Sequence, residues 1–133
     1  KAIWSVISAP SETPQTAVEE YYRVSEAGMR HGGFIRAHAF GLIEGMADVE
    51  AGKAYLKFVL DPALGAVALK LSRTPGAPRE PRALRSAALA ALSPLLVMSL
   101  HQDLLGGDKF APIDGSHVIA DLQAWLGKGF ETH

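Results

Sequence analysis

The sequence RALRSAALAALSPLLVMSLHQDLL, residues 82–105, is the longest helical pattern in the chain and its most apolar segment. Pro81 stands where the first helical residue belongs, and its missing N–H costs nothing at that position. Gly106 and Gly107 follow the last leucine, the usual place for a left-handed helix end. Ala and Leu, two strong helix formers, dominate between these signals. The stretch therefore predicts a long central helix.

Apolar side chains surround almost the whole circumference of this predicted helix. They form two faces, one of Leu84, Ala88, Ala91, Leu95 and Met98 and one of Ala87, Leu92, Leu96 and Leu100. Such a helix must be covered nearly all round, by the rest of the domain or by a partner chain. Pro94 is expected to kink it. The apolar part lies between Arg85 and His101, shorter than the roughly 20 residues that a bilayer requires, so we expect a core helix and no membrane span.

Whole-chain properties narrow the classes of protein to which the sequence can belong. A length of 133 residues predicts a single domain over 1–133. The chain has no Cys, which excludes disulfides and thiolate metal sites and fits a cytoplasmic protein. The formal net charge is −1 and no basic stripe is present, so we expect no direct nucleic acid binding. The sequence shows no signal-peptide pattern.

Helix start and stop signals predict a mainly α domain of about five helices. Thr13 and Pro14 open a helix within residues 11–31, and Gly32-Gly33 ends it. Asp61-Pro62 is expected to open another through residue 73, before a Pro-rich loop at 74–81. Asp114 or Ser116 is expected to cap a final helix that ends at Gly127. Residues 1–10 are compatible with a short strand.

Residues 34–72 are compatible with two structures. Ile35, Ala39, Leu42, Met46 and Val49 follow a helical stripe, whereas the alternation at 54–60 and 66–72 is typical of a β-hairpin. The abundant Ala and scarce β-branched residues favour helix.

Three glycines count against the helical alternative. Gly41, Gly45 and Gly52 would each cost roughly 1 kcal/mol in a helix relative to Ala. They are tolerable in helices if another backbone packs close at these positions.

Large side chains and a histidine are the candidates for lining an apolar ligand site. They are Tyr22, Phe40, Tyr55, Phe58, Met98, His101 and Trp125. Aromatic residues at helical spacing are more often core than ligand pocket. His101, Asp103 and His117 could be brought together by the loop at 106–113, but their spacing matches no metal-ligand signature. We therefore predict no metal and no cofactor.

Residues 54–127 resemble the ligand-binding half of TetR-type transcriptional regulators. The run AYLKFVLDPAL at 54–64 is similar to a helix–proline–helix corner in that family, and residues 84–127 resemble its last two helices. The resemblance implies an apolar effector and a homodimer interface formed by those helices. Residues 1–53 contain no counterpart of the family's DNA-reading helix-turn-helix. The resulting hypothesis is a non-catalytic module that binds an apolar small molecule, a like chain, or both.

A second short string suggests an enzyme instead. His31-Gly32-Gly33-Phe34-Ile35 resembles the turn that opens the central helix of hotdog-fold acyl-CoA thioesterases. That resemblance implies a thioester carbonyl polarised at the helix N-terminus near Gly33, with Glu44 and Asp48 as candidate carboxylates. A hotdog fold also requires several long strands after this point, where the sequence predicts helices.

Overall fold

The computed structural model describes residues 10–13, 19–20, 22–23 and 34–131, without the side chains of 127 and 129–131. Over 34–131 the elements are α1 Phe34–Ala47, α2 Val49–Tyr55, a π turn Leu56–Leu60, α3 Asp61–Ser72, α4 Pro81–Ser99, a π turn Leu100–Leu104, a 3₁₀ turn Gly107–Lys109 and α5 Gly115–Glu131. Residues 19–20 and 22–23 are also helical. The described ranges contain no strand, which confirms the mainly α prediction. Residues 34–131 form four helical rods, because the first π turn joins α2 to α3 without a break. Most of the first predicted helix, within 11–31, lies outside the described residues.

The alternative of a hairpin at 54–72 is wrong, because these residues are helical. The predicted helix that begins at Asp61-Pro62 is confirmed as α3, but Asp61 is not its cap, because the helix continues there from the π turn. Asp61 has helical dihedral angles, and its N–H bonds to the carbonyl of Leu56 five residues earlier. Such a widened π turn lets the chain pass Pro62 as one rod. The chain breaks instead at Asp48, which is extended and whose carboxylate accepts the N–H of Glu50 at 3.1 Å. A short acidic side chain at an N-cap is a common helix start.

The glycines of α1 and α2 lie where the two helices meet. A Cβ on Gly45 would come within 3.1 Å of the Cα of Gly52. A Cβ on Gly41 would overlap the Tyr55 ring. The condition stated for helical glycines, a backbone packed close by, is thus met at Gly45 and Gly52, whereas the close neighbour of Gly41 is a side chain. The glycines thus let α1 and α2 form a tight helical hairpin.

One continuous cluster of buried side chains joins the helices. α3 contributes Ala63, Ala66, Val67 and Leu71, and α4 contributes Ala88, Ala91, Leu92 and Leu95. Tyr22, Ile35 of α1, and Leu122 and Leu126 of α5 complete it. Small alanines on the facing sides of α3 and α4 allow these helices to pack closely, so the core lies mainly between them.

The central helix α4 is buried on one side only. Leu92 and Leu95 are buried as predicted, and Leu84 and Leu100 are half-buried. Leu89 and Val97 on the other side are 53% and 60% exposed. The described chain by itself therefore does not cover this helix nearly all round, and coverage of the other side by a partner chain stays a prediction. Four described rods supply too few neighbours to enclose both faces.

The helical segment Pro81–Leu104 is 24 residues long. Its most apolar stretch of 18 residues has a mean hydropathy of 1.6, and 28% of that stretch is buried in the structure. By length and composition alone this segment could cross a membrane. The core helix of a soluble protein meets the same criterion, so this is weak evidence. The absence of a membrane span stays a prediction.

Candidate functional site

A cleft lies where the C-terminal end of α4 meets the start of α5. Its volume is about 710 Å³. It is lined by Leu95, Met98, Ser99, Gln102, Asp103, Asp108, Ile113, Gly115, Ser116 and Ile119. We call it the α4–α5 cleft. Its lining combines an apolar wall with several polar groups.

The second π turn and the loop after it form one end of the cleft. Gly106 has a φ of 74°, a left-handed conformation that glycine adopts without strain. A Cβ on Gly107 would clash with both the ring and the carbonyl of His101, so only glycine lets the loop fold this closely. Gln102 then accepts the N–H of Ile113 at 3.0 Å. These contacts hold the loop against the end of the helix.

The N-terminus of α5 forms the opposite wall. Asp114 accepts the backbone N–H and the hydroxyl of Ser116, at 3.0 and 2.6 Å. The Ser116 hydroxyl bond is the largest of several interactions that hold the pKa of Asp114 below its usual value. His117 lies 3.6 Å from the same carboxylate. Asp114, one of the two predicted caps, therefore caps α5 and balances the positive end of its helix dipole. The predicted end at Gly127 is wrong, because α5 continues to Glu131.

Ser99 is the unusual residue of the cleft wall. Its side chain is 3% exposed, and among the residues that the structure describes its hydroxyl has no hydrogen-bond partner. A buried hydroxyl without a partner costs free energy, and most buried polar groups in proteins are paired. Leu95, Ser99 and Asp103 follow one another at intervals of four residues, on one face of the helical segment. The hydroxyl thus lies between an apolar wall and a carboxylate.

The seven predicted ligand residues do not form one site. Met98 lines the α4–α5 cleft, and His101 lies on the adjoining π turn beside Gly107 and Gln102. Phe40, Phe58 and Trp125 are each more than half exposed, on three different helical segments.

The two predicted tyrosines are buried but belong to the packing of the fold. The Tyr22 hydroxyl donates to the carbonyl of Ala91 at 2.9 Å, and the Leu95 N–H bonds to the same hydroxyl. Burial raises the pKa of Tyr22 far above its usual value, and the hydrogen bond from the Leu95 N–H offsets only part of that rise. The Tyr55 hydroxyl lies 2.7 Å from Nδ1 of His38, with the two rings edge to face. Burial raises the pKa of Tyr55 and lowers that of His38.

The residues of the thioesterase alternative are not gathered either. Glu44 is exposed on α1 and Asp48 caps α2, while Gly33 and the His31-Gly32 turn lie outside the described residues. Residues 34–131 contain no strand, which is unfavourable to a hotdog fold.

The histidine and aspartate side chains near the cleft do not make a metal site. Within the described ranges, no group of three or more His, Asp or Glu residues is arranged to hold a metal ion. His117 faces Asp114 rather than His101.

Sequence reasoning missed most of the cleft lining. Ser99, Gln102 and Asp108 were not candidate site residues, although Ser99 is one of the few polar interruptions in an apolar helix. That interruption is the signal that could have identified it. Gln102 and Asp108 carry no such signal, because they lie in polar sequence that normally faces solvent.

Comparisons of the chain with protein-family models, with curated proteins and with solved structures find no match. The resemblance to TetR-type effector domains therefore stays a prediction.

Proposed function

We propose that the chain is a non-catalytic helical module that binds an apolar small molecule in the α4–α5 cleft. The observation that carries the proposal is the cleft itself, whose volume of about 710 Å³ is typical of small-molecule sites. Leu95, Met98, Ile113 and Ile119 supply an apolar wall. A few polar groups at one end could orient a ligand, which is the usual composition of such sites.

A titration of the ¹⁵N-labelled chain with n-octanol, followed by NMR, tests this proposal. We expect saturable shifts of the amide signals of Met98, Ser99, Gly115 and Ser116, and none at Gly45 and Gly52, which do not line the cleft. Ser116→Trp should block the cleft and abolish the shifts. Asp121→Trp, at an exposed position one turn further along α5, is the matched control and should leave them unchanged. A titration without saturable shifts at the cleft contradicts the proposal.

Association with a like chain is a second candidate, favoured by a different surface. Phe40, Ile43, Met46 and Val49 lie around the tip of the α1–α2 hairpin, and each is more than half exposed. Contiguous apolar patches of this kind usually mark interaction sites.

The charges around this tip fit a second copy of the chain. Glu44 and Glu50 lie close in sequence to Lys53 and Lys57, and Lys53 pairs with Glu50 at 3.4 Å. A surface that carries both signs can be complementary to itself in a two-fold contact, whereas a surface of one sign would repel its copy.

Sedimentation velocity over a range of concentrations tests this second candidate. Ile43→Asp should shift the chain towards monomer, because it places a charge in the centre of the apolar tip. Leu89→Asp, at a comparably exposed apolar residue on α4, is the matched control and should leave the distribution unchanged. A wild-type chain that sediments as a monomer at every concentration contradicts the candidate.

A further inference from the structure

We infer that the buried hydroxyl of Ser99 makes the α4–α5 cleft selective for apolar molecules that carry a hydroxyl group, over molecules of similar shape that cannot form hydrogen bonds. This inference rests on the proposed function and names both the class of ligand and the residue that recognises it. It depends on the hydrogen bond that Ser99 lacks and on those that the other neutral polar groups of the lining already make.

Ser99 differs from two other helical serines in how its hydroxyl is used. A serine inside a helix often donates to a carbonyl three or four residues earlier. Ser93 donates to the carbonyl of Leu89 at 2.7 Å, and Ser72 makes a bond of the same length to a carbonyl three residues back. The Ser99 side chain is 3% exposed and makes no such bond among the described residues. Its hydroxyl therefore keeps its donor and acceptor sites for another molecule.

The other neutral polar side chains of the lining are already engaged. The Gln102 carbonyl oxygen accepts the Ile113 N–H at 3.0 Å, and the amide nitrogen of the same side chain lies against the His101 ring. The Ser116 hydroxyl donates to Asp114 at 2.6 Å. A ligand hydroxyl therefore gains most by bonding to the unpaired hydroxyl on α4.

Apolar side chains near Ser99 define the rest of the ligand. Leu95 and Met98 line the cleft from α4, and Ile119 lines it from α5. Because Met98 is long and flexible, it can adapt to an alkyl chain or a ring. An apolar molecule with one hydroxyl matches this arrangement, whereas a sugar would place most of its hydroxyls against the apolar wall.

The selectivity comes from the free-energy cost of leaving the Ser99 hydroxyl unpaired. A ligand hydroxyl that enters the cleft gives this group a partner. A ligand of the same shape without a hydrogen-bonding group encloses Ser99 among apolar atoms, and a buried polar group without a partner costs free energy. Sites that hold such a group reject the analogue that leaves it unpaired more strongly than an apolar pocket rejects an added hydroxyl.

NMR titrations with n-hexanol and n-hexyl chloride test the inference, because the two probes share one alkyl chain and the chlorine is a poor hydrogen-bond acceptor. Each probe is added to the wild-type chain and to Ser99→Ala, so the comparison does not depend on how strongly the probe itself is hydrated. We expect Ser99→Ala to weaken hexanol binding about fivefold, the effect of losing one hydrogen bond, and to leave hexyl chloride binding unchanged. Ser99→Cys keeps a similar volume but bonds weakly, so it should also weaken hexanol binding.

Ser93→Ala is the matched control, because it removes a hydroxyl from the same helix outside the cleft lining. It should leave the affinities for both probes unchanged. Circular dichroism of each variant establishes that it is folded.

The outcomes separate this inference from the proposed function. Saturable binding of both probes that Ser99→Ala weakens equally, or does not change, overturns the role of Ser99 and leaves the apolar site standing. Binding of neither probe overturns both. A hexanol affinity that falls to the same extent in Ser93→Ala overturns the assignment to the Ser99 hydroxyl.

Discussion

Tyr22 makes a connection between distant parts of the chain that depends on one hydroxyl. Its oxygen contacts the Ala91 carbonyl and the Leu95 N–H, the two atoms that close one turn of an α-helix. Pro94 lies within this turn and lacks an N–H, so the backbone hydrogen bonding of α4 is already interrupted there. A side chain that inserts at such a point can replace part of the lost pairing.

Tyr22→Phe is therefore expected to destabilise the fold without changing its core volume. We predict a loss of about 1–2 kcal/mol in the free energy of unfolding, because two buried backbone groups lose a partner. Urea unfolding followed by circular dichroism measures it. An unchanged midpoint would show that the hydroxyl contributes nothing to stability.

Ser99 and Thr74 offer a comparison between two buried hydroxyls. Both side chains are 3% exposed, but Thr74 donates to the carbonyl of Lys70 at 2.9 Å, whereas Ser99 has no partner among the described residues. We predict that Thr74→Val lowers the free energy of unfolding by about 1 kcal/mol and that Ser99→Ala leaves it unchanged or raises it. Thermal unfolding of the two variants beside the wild type tests this. A comparable loss in both would mean that the Ser99 hydroxyl is paired in the folded chain.

At the scale of the element, the α1–α2 hairpin depends on glycines that bring two helices together. A Cβ at Gly41 would overlap the Tyr55 ring, which is held by its hydrogen bond to His38. Gly65 on α3 provides a control, because a Cβ there would meet nothing within 4 Å. An added methyl group at Gly41 therefore measures the free-energy cost of a clash, whereas at Gly65 it measures the gain from a better helix former.

We predict opposite signs for the two Gly→Ala substitutions. Gly41→Ala should cost about 1–3 kcal/mol, because the Tyr55 ring must move. Gly65→Ala should add up to about 1 kcal/mol, because Ala loses less entropy than Gly in a helix. Urea unfolding of both variants measures the difference. Stabilisation by Gly41→Ala would contradict the close packing of this hairpin.

For the whole molecule, two pairs of groups make the stability depend on pH in different ranges. His38 is buried beside Tyr55 and its pKa is lowered by that burial. Lys70, which is 1% exposed, bonds to Glu20 at 2.8 Å, and Ser11 donates to the same carboxylate. The Lys70 bond is the largest cause of the lowered pKa of Glu20. Each pair contributes to joining separate parts of the chain.

We predict that acidification destabilises the chain in two steps. Below about pH 6.5, the ordinary His pKa, the unfolded chain takes up a proton that folded His38 does not, so the free energy of unfolding falls by at most about 1.4 kcal/mol per pH unit. Below about pH 4.5 the same argument applies to Glu20, whose stabilising charge is lost as the pH falls through its folded pKa. Thermal unfolding midpoints against pH measure both steps.

His38→Gln distinguishes the two steps of this pH profile. It should remove the upper step and leave the lower one, because Gln does not titrate. A profile with the same upper step in this variant would assign that step to another histidine.

The sequence by itself determined the helical class and the long Ala/Leu-rich helix, and it indicated that Gly41, Gly45 and Gly52 need a close neighbour if they lie in helices. These follow from local properties, namely the helix propensity of the residues, the signals that start and end a helix, and the free-energy cost of a glycine inside a helix. The break at Asp48 and the continuous rod through Pro62 could not be obtained this way, because a proline that opens a helix and a proline that follows a π turn have the same local sequence.

Tertiary structure alone decided which face of α4 is covered and where a ligand could bind. Tyr22 reaches Ala91 across 69 positions, and Lys70 reaches Glu20 across 50. Leu89 and Leu92 have the same hydrophobicity, yet only Leu92 faces α3 and the rest of the core. The α4–α5 cleft likewise depends on how the loop after Gly106 folds back onto the helix end. Burial is a property of the neighbours that a residue meets, and pattern along the chain does not specify those neighbours.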